Sequence, residues 1–368
     1  MLAKNSFLTS VCARSSATQP CNGASGTRIF RGHRLVYSLR KIAILLASSA
    51  LLSGCVSSVL DVDTKANQPI PAKLMSQMNA RQMKPSDPVL IRIFKRESEL
   101  EVWKRNRSGR YALLKTYPTC RWSGKLGPKK TAGDRQTPEG FYHISASMLN
   151  PASQYYLSFN LGFPNRLESA LGYTGDALMV HGGCSSSGCY AMTDEGVAEI
   201  YAVVREALRG GQTAFQVQAF PFRMTPKNMA EYRNDPNMPF WKNLKEGYDI
   251  FEVAKRQPKV SACEGRYVFD AEFEGGEPAD PLAACPPMTT MQSPALIAKR
   301  DADMRAIEMA TASATLTTHA YTDGGMHPSF RAILKRSGAK ALAKRTSRTK
   351  VPISRPAAAL ADPHRAEN

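Results

Sequence analysis

The stretch from Met179 to Gly196, MVHGGCSSSGCYAMTDEG, brings His181, Cys184 and Cys189 within nine residues and fills the space between them with glycine and serine. A cysteine attacks a carbonyl as its thiolate, and a neighbouring imidazole or the positive end of a helix stabilises that charge. Cys189 has both close by in sequence. It lies four or five residues before Thr193 and Asp194, either of which can cap a helix, and eight residues after His181. The Gly/Ser run between them supplies backbone N–H groups that can converge on an oxyanion. The same residue types also serve blander ends: a buried structural histidine, a disulfide between the two cysteines, or a zinc site. For zinc the spacing is irregular and no fourth ligand is near. A thiol oxidoreductase is disfavoured because four residues, not two, separate the cysteines. The loop alone leaves a thiol enzyme and a structural role both open.

Something must hold such a loop. The run DALMV before His181 is short and almost wholly apolar, as a buried strand would be. After the cysteines, Val197, Ile200, Tyr201, Val204 and Leu208 fall on one face of a 3.6-residue period that Gly210-Gly211 ends, which predicts one main helix. Upstream, PVLIRIF, LEVW and the stretch after NRSG read as an antiparallel meander of short strands with one wet face. A Gly/Pro/Lys-rich loop returns to a strand at Phe141 to Ile144, and AFQVQAFPF is period-two again. Residues 88–224 therefore form a strand-rich α+β unit. Residues 225–290 add a small extension with a helix around FWKNLKEGYDIFEVAKR and a strand at YVFDAEF. From 291 to 368 Ala, Thr, Lys and Arg dominate. A transient helix at SPALIAKRDADMRAIEMA aside, this tail has too little apolar surface to offset ordering entropy and is expected to be disordered.

HGGCSSSGCYAMT together with GDRQTPEGFYHI resembles the catalytic domain of the YkuD-type L,D-transpeptidases, in particular their YafK-like branch. The resemblance covers about 88–224 closely and continues through NLKEGYDIFEVAKRQPK and RYVF to about 270. It implies a YkuD-like mixed β-sandwich. It implies that Cys189 is the nucleophile and His181 its base, that a backbone carbonyl near Gly182 orients the imidazole, and that amides around Gly188 and Cys189 form the oxyanion hole. The substrate would be the tetrapeptide stem of peptidoglycan, cleaved between its third residue and D-Ala to give a thioester that an amine or water resolves. Hydrolysis would make the chain an L,D-carboxypeptidase or an amidase releasing wall-linked protein; loss of catalysis would leave a wall-binding lipoprotein. Ser187 stands where many members carry a second histidine, and Tyr190-Ala191 where an Arg or Asn often follows the nucleophile. Ser186, Ser187, Tyr190 and Arg135 are the candidate contacts to the stem. Lys125, Lys129, Lys130, Trp122, Tyr155 and Tyr156 are weaker candidates, more simply read as solvated charge and aromatic core, and His143 as a strand residue. No cofactor or metal is expected.

Residues 40–55, RKIAILLASSALLSGC, carry a basic start, a short apolar run and small residues before Cys55. That order resembles a bacterial lipoprotein export signal, which is cleaved before a cysteine that takes lipid. Residues 1–54 are assigned to it, with a start at Leu35 or Val36 giving an ordinary length, and 55–87 to a lipidated cysteine and linker. The expected location is the periplasm, with the lipid anchored in the membrane, the outer one by preference. A wall-linked lipoprotein is a further candidate partner. The net charge of +18 does not indicate nucleic acid, since residues 331–368 alone hold ten Lys/Arg against two acids and no nucleic-acid module is present. Setting aside Cys12, Cys21 and Cys55 leaves five cysteines, an odd number that keeps one thiol unpaired in an oxidising compartment. Cys263 and Cys285 are expected to pair, while Cys184 either pairs with Cys120 or stays free.

Overall fold

The computed structural model describes residues 61–313 and 321–361. The export segment and Cys55 lie outside the described residues.

The meander forms as its alternation requires. Strands β1 (Val89–Phe94), β2 (Glu99–Arg105) and β3 (Tyr111–Pro118) pair antiparallel in order. They are completed by β4 (Gly140–Ser145) and β9 (Ala214–Phe220) into a five-stranded sheet ordered β3-β2-β1-β9-β4, in which β1 and β9 run parallel. A second sheet stacks four very short strands: β5 (Leu149–Asn150), β6 (Ser158–Asn160), β7 (Met179–His181) and β8 (Tyr190–Ala191). Helix α3 (Asp194–Arg209) starts at Thr193, whose hydroxyl accepts from the Gly196 N–H at 2.9 Å, and ends at Gly210. Its face of Val197, Ile200 and Val204 is buried against strands of both sheets, so it forms the shared core between them. This is the mixed α+β architecture that the sequence predicts.

The first strand of the meander has no wet face. Every residue of β1 is buried, because helix α5 (Met238–Ala254) lies across the side of the sheet expected to face solvent. Arg92, an outward-pointing cation in the sequence pattern, is 1% exposed: it sits 4.4 Å from the Tyr248 ring centre and 4.6 Å from that of Phe251, and it pairs with Glu252 at 2.5 Å. The 225–290 segment, which also contains α4 (Pro226–Glu231), β10 (Val260–Cys263), β11 (Arg266–Phe269) and β12 (Ala271–Phe273), is thus a second layer on the 88–224 unit. Cys263 and Cys285 are paired there, with Cα atoms 5.1 Å apart.

Two further expectations give way. Within the presumed linker, helix α1 (Ala72–Ala80) buries Leu74 and Met78, and Ile70 and Met83 join the same core. Arg205 of α3 binds the Ala66 and Gln68 carbonyls. The tail also folds. Helix α6 (Pro294–Ser313) packs on α4 and α5, and α7 (Pro328–Thr346) and α8 (Pro356–Leu360) bury Met326, Leu334, Leu342 and Ile353 around Cys120 and Cys184. A composition argument missed this because few apolar residues suffice when a preformed surface receives them.

In the TPEG segment, Glu139 is fully buried. It accepts from Lys95 at 2.9 Å and from the Gly127 N–H at 2.7 Å through one oxygen, and from Trp241 Nε1 at 2.8 Å through the other. Removing one partner of such a pair leaves an uncompensated buried charge. Glu139→Gln is therefore expected to cost about 3 kcal/mol in urea unfolding, and Lys95→Met combined with it to cost less than the single change; a single variant as stable as wild type would contradict the pairing.

Candidate active site

The site hangs on the parallel pairing of β7 and β8, in which Val180 faces Tyr190 and His181 faces Ala191. Continuing that register sets Cys189 opposite Met179, and the Met179 N–H points at Cys189 Sγ at 3.4 Å. Because successive residues alternate faces, Cys189 and His181 fall on the same side of this pair of strands. Register thus brings together the two residues that the sequence singles out.

The loop between them spans residues 182–188, short for a parallel connection, which ordinarily takes a dozen residues or more. It turns through Gly183 (φ +72°) and Gly188 (φ +121°), left-handed positions that glycine takes without strain. Several pins hold it. Cys184 is bonded to Cys120, Cα to Cα 5.3 Å, at the end of the segment following β3. Its sulfur is therefore neither a zinc ligand nor a redox partner for Cys189, which is free. Ser123 Oγ accepts from the Gly188 N–H at 2.6 Å and donates to the Arg135 carbonyl at 2.7 Å. Ser186 is 3% exposed and its hydroxyl donates to the Cys189 carbonyl at 2.7 Å. Ser123 is tied in turn to Thr137 of the TPEG segment, through both its N–H and its carbonyl.

His181 is 3% exposed, and its Nδ1 lies 2.6 Å from the Gly182 carbonyl. A carbonyl only accepts, so Nδ1 carries the proton and Nε2 keeps the lone pair a base needs. The ring lies against Tyr155, centroids 4.6 Å apart, and the Tyr155 carbonyl accepts from the Gly182 N–H at 3.0 Å. Burial lowers the imidazole to about 4, the bond to Gly182 offsetting only part of it. Burial likewise raises the Cys189 thiol, against the opposing pull of the Met179 N–H and the Lys129 charge. At neutral pH the resting pair is therefore thiol and neutral imidazole, not an ion pair.

The other expected site residues take different places. Gly188 does not offer its amide to an oxyanion, since that N–H is spent on Ser123. Ser186 holds the loop from inside. Tyr190 is fully buried and donates to the Pro138 carbonyl at 2.8 Å, anchoring β8 to the TPEG segment. Ser187 is exposed, but its hydroxyl accepts from Arg135 Nη1 at 2.9 Å, and Arg135 Nη2 reaches the Ser186 carbonyl at 3.2 Å. Arg135 thus braces the loop. Among the weaker candidates, Trp122 is fully buried, Lys129 is buried against Asp134, and His143 sits on β4 with Gln216. Sequence reading missed Ser123, whose hydroxyl no motif marks, and undervalued Tyr155, which looked like ordinary core and is 39% exposed beside the histidine.

The family model of the YkuD L,D-transpeptidase catalytic domain matches residues 88–213. YafK of Escherichia coli strain K12, itself named only as a candidate L,D-transpeptidase, is 43% identical over 231 residues, covering 62% of this chain and 90% of that protein. The YafK of Escherichia coli O157:H7 matches to the same extent. The chain belongs to the YkuD family of L,D-transpeptidases. Among solved structures, the helical cell shape determining protein Pgp2 from Campylobacter jejuni aligns at 17% identity and TM-score 0.30 over 51% of this chain and 80% of that one. Bdellovibrio bacteriovorus Bd1075 aligns at 17% and 0.27 over 47% and 76%. Both likenesses are too low to carry an inference about this chain.

A β-carbon on Gly182 would lie 2.6 Å from Asp194 Oδ1 and 2.7 Å from the Tyr155 carbonyl. Gly182→Ala is expected to lower stability by about 1–3 kcal/mol and to weaken the hold on His181; thermal unfolding at wild-type temperature would show that the crowding is relieved without cost. His181 also makes stability depend on pH. Its folded value of about 4 lies below its ordinary 6.5, so between those limits the unfolded chain binds the extra proton and stability falls as pH drops through the window. Urea midpoints at pH 7 and pH 4.5 should show a loss that His181→Gln shares less; equal losses in both proteins would remove His181 as its source.

Proposed function

We propose that the protein is a peptidoglycan L,D-transpeptidase that works through a thioester on Cys189. The observation that carries this reading is the His181–Gly182 bond, which leaves Nε2 as the unprotonated nitrogen on the face shared with Cys189. In the proposed cycle, Nε2 takes the thiol proton as Cys189 Sγ attacks the carbonyl of the third stem residue. The resulting imidazolium returns that proton to the departing D-Ala amine as the C–N bond breaks, leaving the acyl group on sulfur. An amine acceptor then attacks the thioester, losing its proton to His181, and Cys189 leaves as the thiol. Water in the acceptor's place gives hydrolysis by the same residues. With Gly188 N–H engaged, the oxyanion would fall to amides nearer the sulfur, Cys189's own first among them.

Cys55 is proposed to carry the lipid that holds the protein to the outer membrane, facing the wall in the periplasm, with the stem peptide as substrate.

The test is mass spectrometry of disaccharide-tetrapeptide incubated with the protein, with and without a D-amino acid, beside Cys189→Ala. Exchange of D-Ala for the added amino acid, absent in the variant, supports transfer; loss of D-Ala alone identifies hydrolysis. No reaction by the unaltered protein on stems or on sacculi would overturn the enzyme reading in favour of a wall-binding lipoprotein. The acid limb of kcat/KM is expected near pH 4 to 5, because His181 must be unprotonated to act and is lowered to about 4. A limb near 6.5 would place the base elsewhere.

A further inference from the structure

The C-terminal segment reaches the nucleophile loop from behind. Asp323, 4% exposed, lies just before α7. Its Oδ2 accepts from Arg135 Nη2 at 3.0 Å and lies 3.4 Å from Arg355 and 3.7 Å from Arg121, while its Oδ1 accepts from the Gly124 N–H at 3.1 Å. Arg135 passes the contact on to the Ser186 carbonyl and the Ser187 hydroxyl. From the same segment, Ser354 Oγ accepts from the Ser186 N–H at 2.9 Å, and the Ser354 carbonyl accepts from Arg121 Nε at 3.1 Å. Ser186 is therefore held at its N–H by Ser354, at its carbonyl by Arg135, and at its hydroxyl by the Cys189 carbonyl. Three arginines converge here, and one carboxylate answers them all.

We propose that Asp323 is a positioning residue for the nucleophile, holding Arg135 against residues 186 and 187 so that the short loop keeps Cys189 in its half-buried, register-defined place on the face it shares with His181. This rests on the reading of Cys189 as the nucleophile and extends the working site to a segment that composition alone sets aside as a tail. Without the carboxylate, Arg121, Arg135 and Arg355 repel one another, Arg135 swings to solvent, and the loop loses its outer brace. Asp323 touches no reacting atom and acts only through Arg135.

The test uses the full chain. Asp323→Asn keeps the shape and the acceptor for the Gly124 N–H but removes the charge. Cys189 alkylation by iodoacetamide, followed on the Cys189-containing peptide by mass spectrometry from pH 6 to 10, reads loop geometry without any assumption about substrate. The variant should alkylate at least threefold faster at pH 7.5, because a loosened loop solvates the thiolate. Its kcat on tetrapeptide stems should fall about tenfold with KM within twofold, both read well below a thermal midpoint that the loss of a buried charge partner lowers. Arg135→Gln should give the same changes, and the double variant no more than either single one. Asp323→Glu should recover part of kcat. Unchanged alkylation, or effects that add in the double variant, would overturn the proposal. An unaltered protein with no turnover at all would instead sink the transpeptidase reading and leave the alkylation result to judge Asp323.

Discussion

Two rungs of parallel pairing between β7 and β8 are the constraint on which the site depends. They decide which residue stands beside which, and they put a histidine and a cysteine eight positions apart in sequence on one face. Parallel strands joined this closely are uncommon, since the chain must turn back across the strand ends with few residues to do it. The Gly/Ser composition of residues 182–188 follows from that need, and so does the number of pins: a disulfide to Cys120, the Ser123 hydroxyl, and the Arg135 brace.

The pins lead outward into the rest of the fold. Ser123 is fastened to Thr137, Tyr190 to Pro138, and Glu139 to Lys95 and Trp241. The TPEG segment, which resembles a family motif, is the plate to which the Cys189 loop is bolted. This explains why the layer formed by α5 belongs to the catalytic unit. Trp241 supplies one of the groups that satisfy Glu139, and a buried carboxylate with an unmet oxygen would be costly.

Much of this was legible in the sequence wherever a short-range pattern carried the information. The α3 helix has a capping threonine, a 3.6-residue apolar face and a glycine stop, and it runs over the residues those signals mark. The strands β1, β4 and β9 follow their period-two runs. Cys189 and His181 stand out because thiol, imidazole and a glycine-rich turn occur together. Long-range covering was not legible. Nothing local in LIRIF says that a helix 150 residues later will bury its outward arginine, and a basic, alanine-rich tail does not announce that Met326, Leu334 and Leu342 fit against a disulfide. The roles of Ser186, Tyr190 and Arg135 were misjudged for the same reason. Ser186 and Tyr190 stand beside Cys189 in sequence and Arg135 lies in the GDRQTPEG segment, yet the polar contacts of all three go to the scaffold.

The account turns on His181 resting as a neutral base with its proton on Nδ1. The direct measurement is the imidazole ¹⁵N shifts of His181, assigned with His181→Gln, followed from pH 8 to 3.5. The account predicts a neutral Nδ1–H tautomer that persists below pH 5 and titrates at about 4. Titration near 6.5, or a proton resting on Nε2, would contradict it, for then burial and the Gly182 carbonyl would not be setting the base.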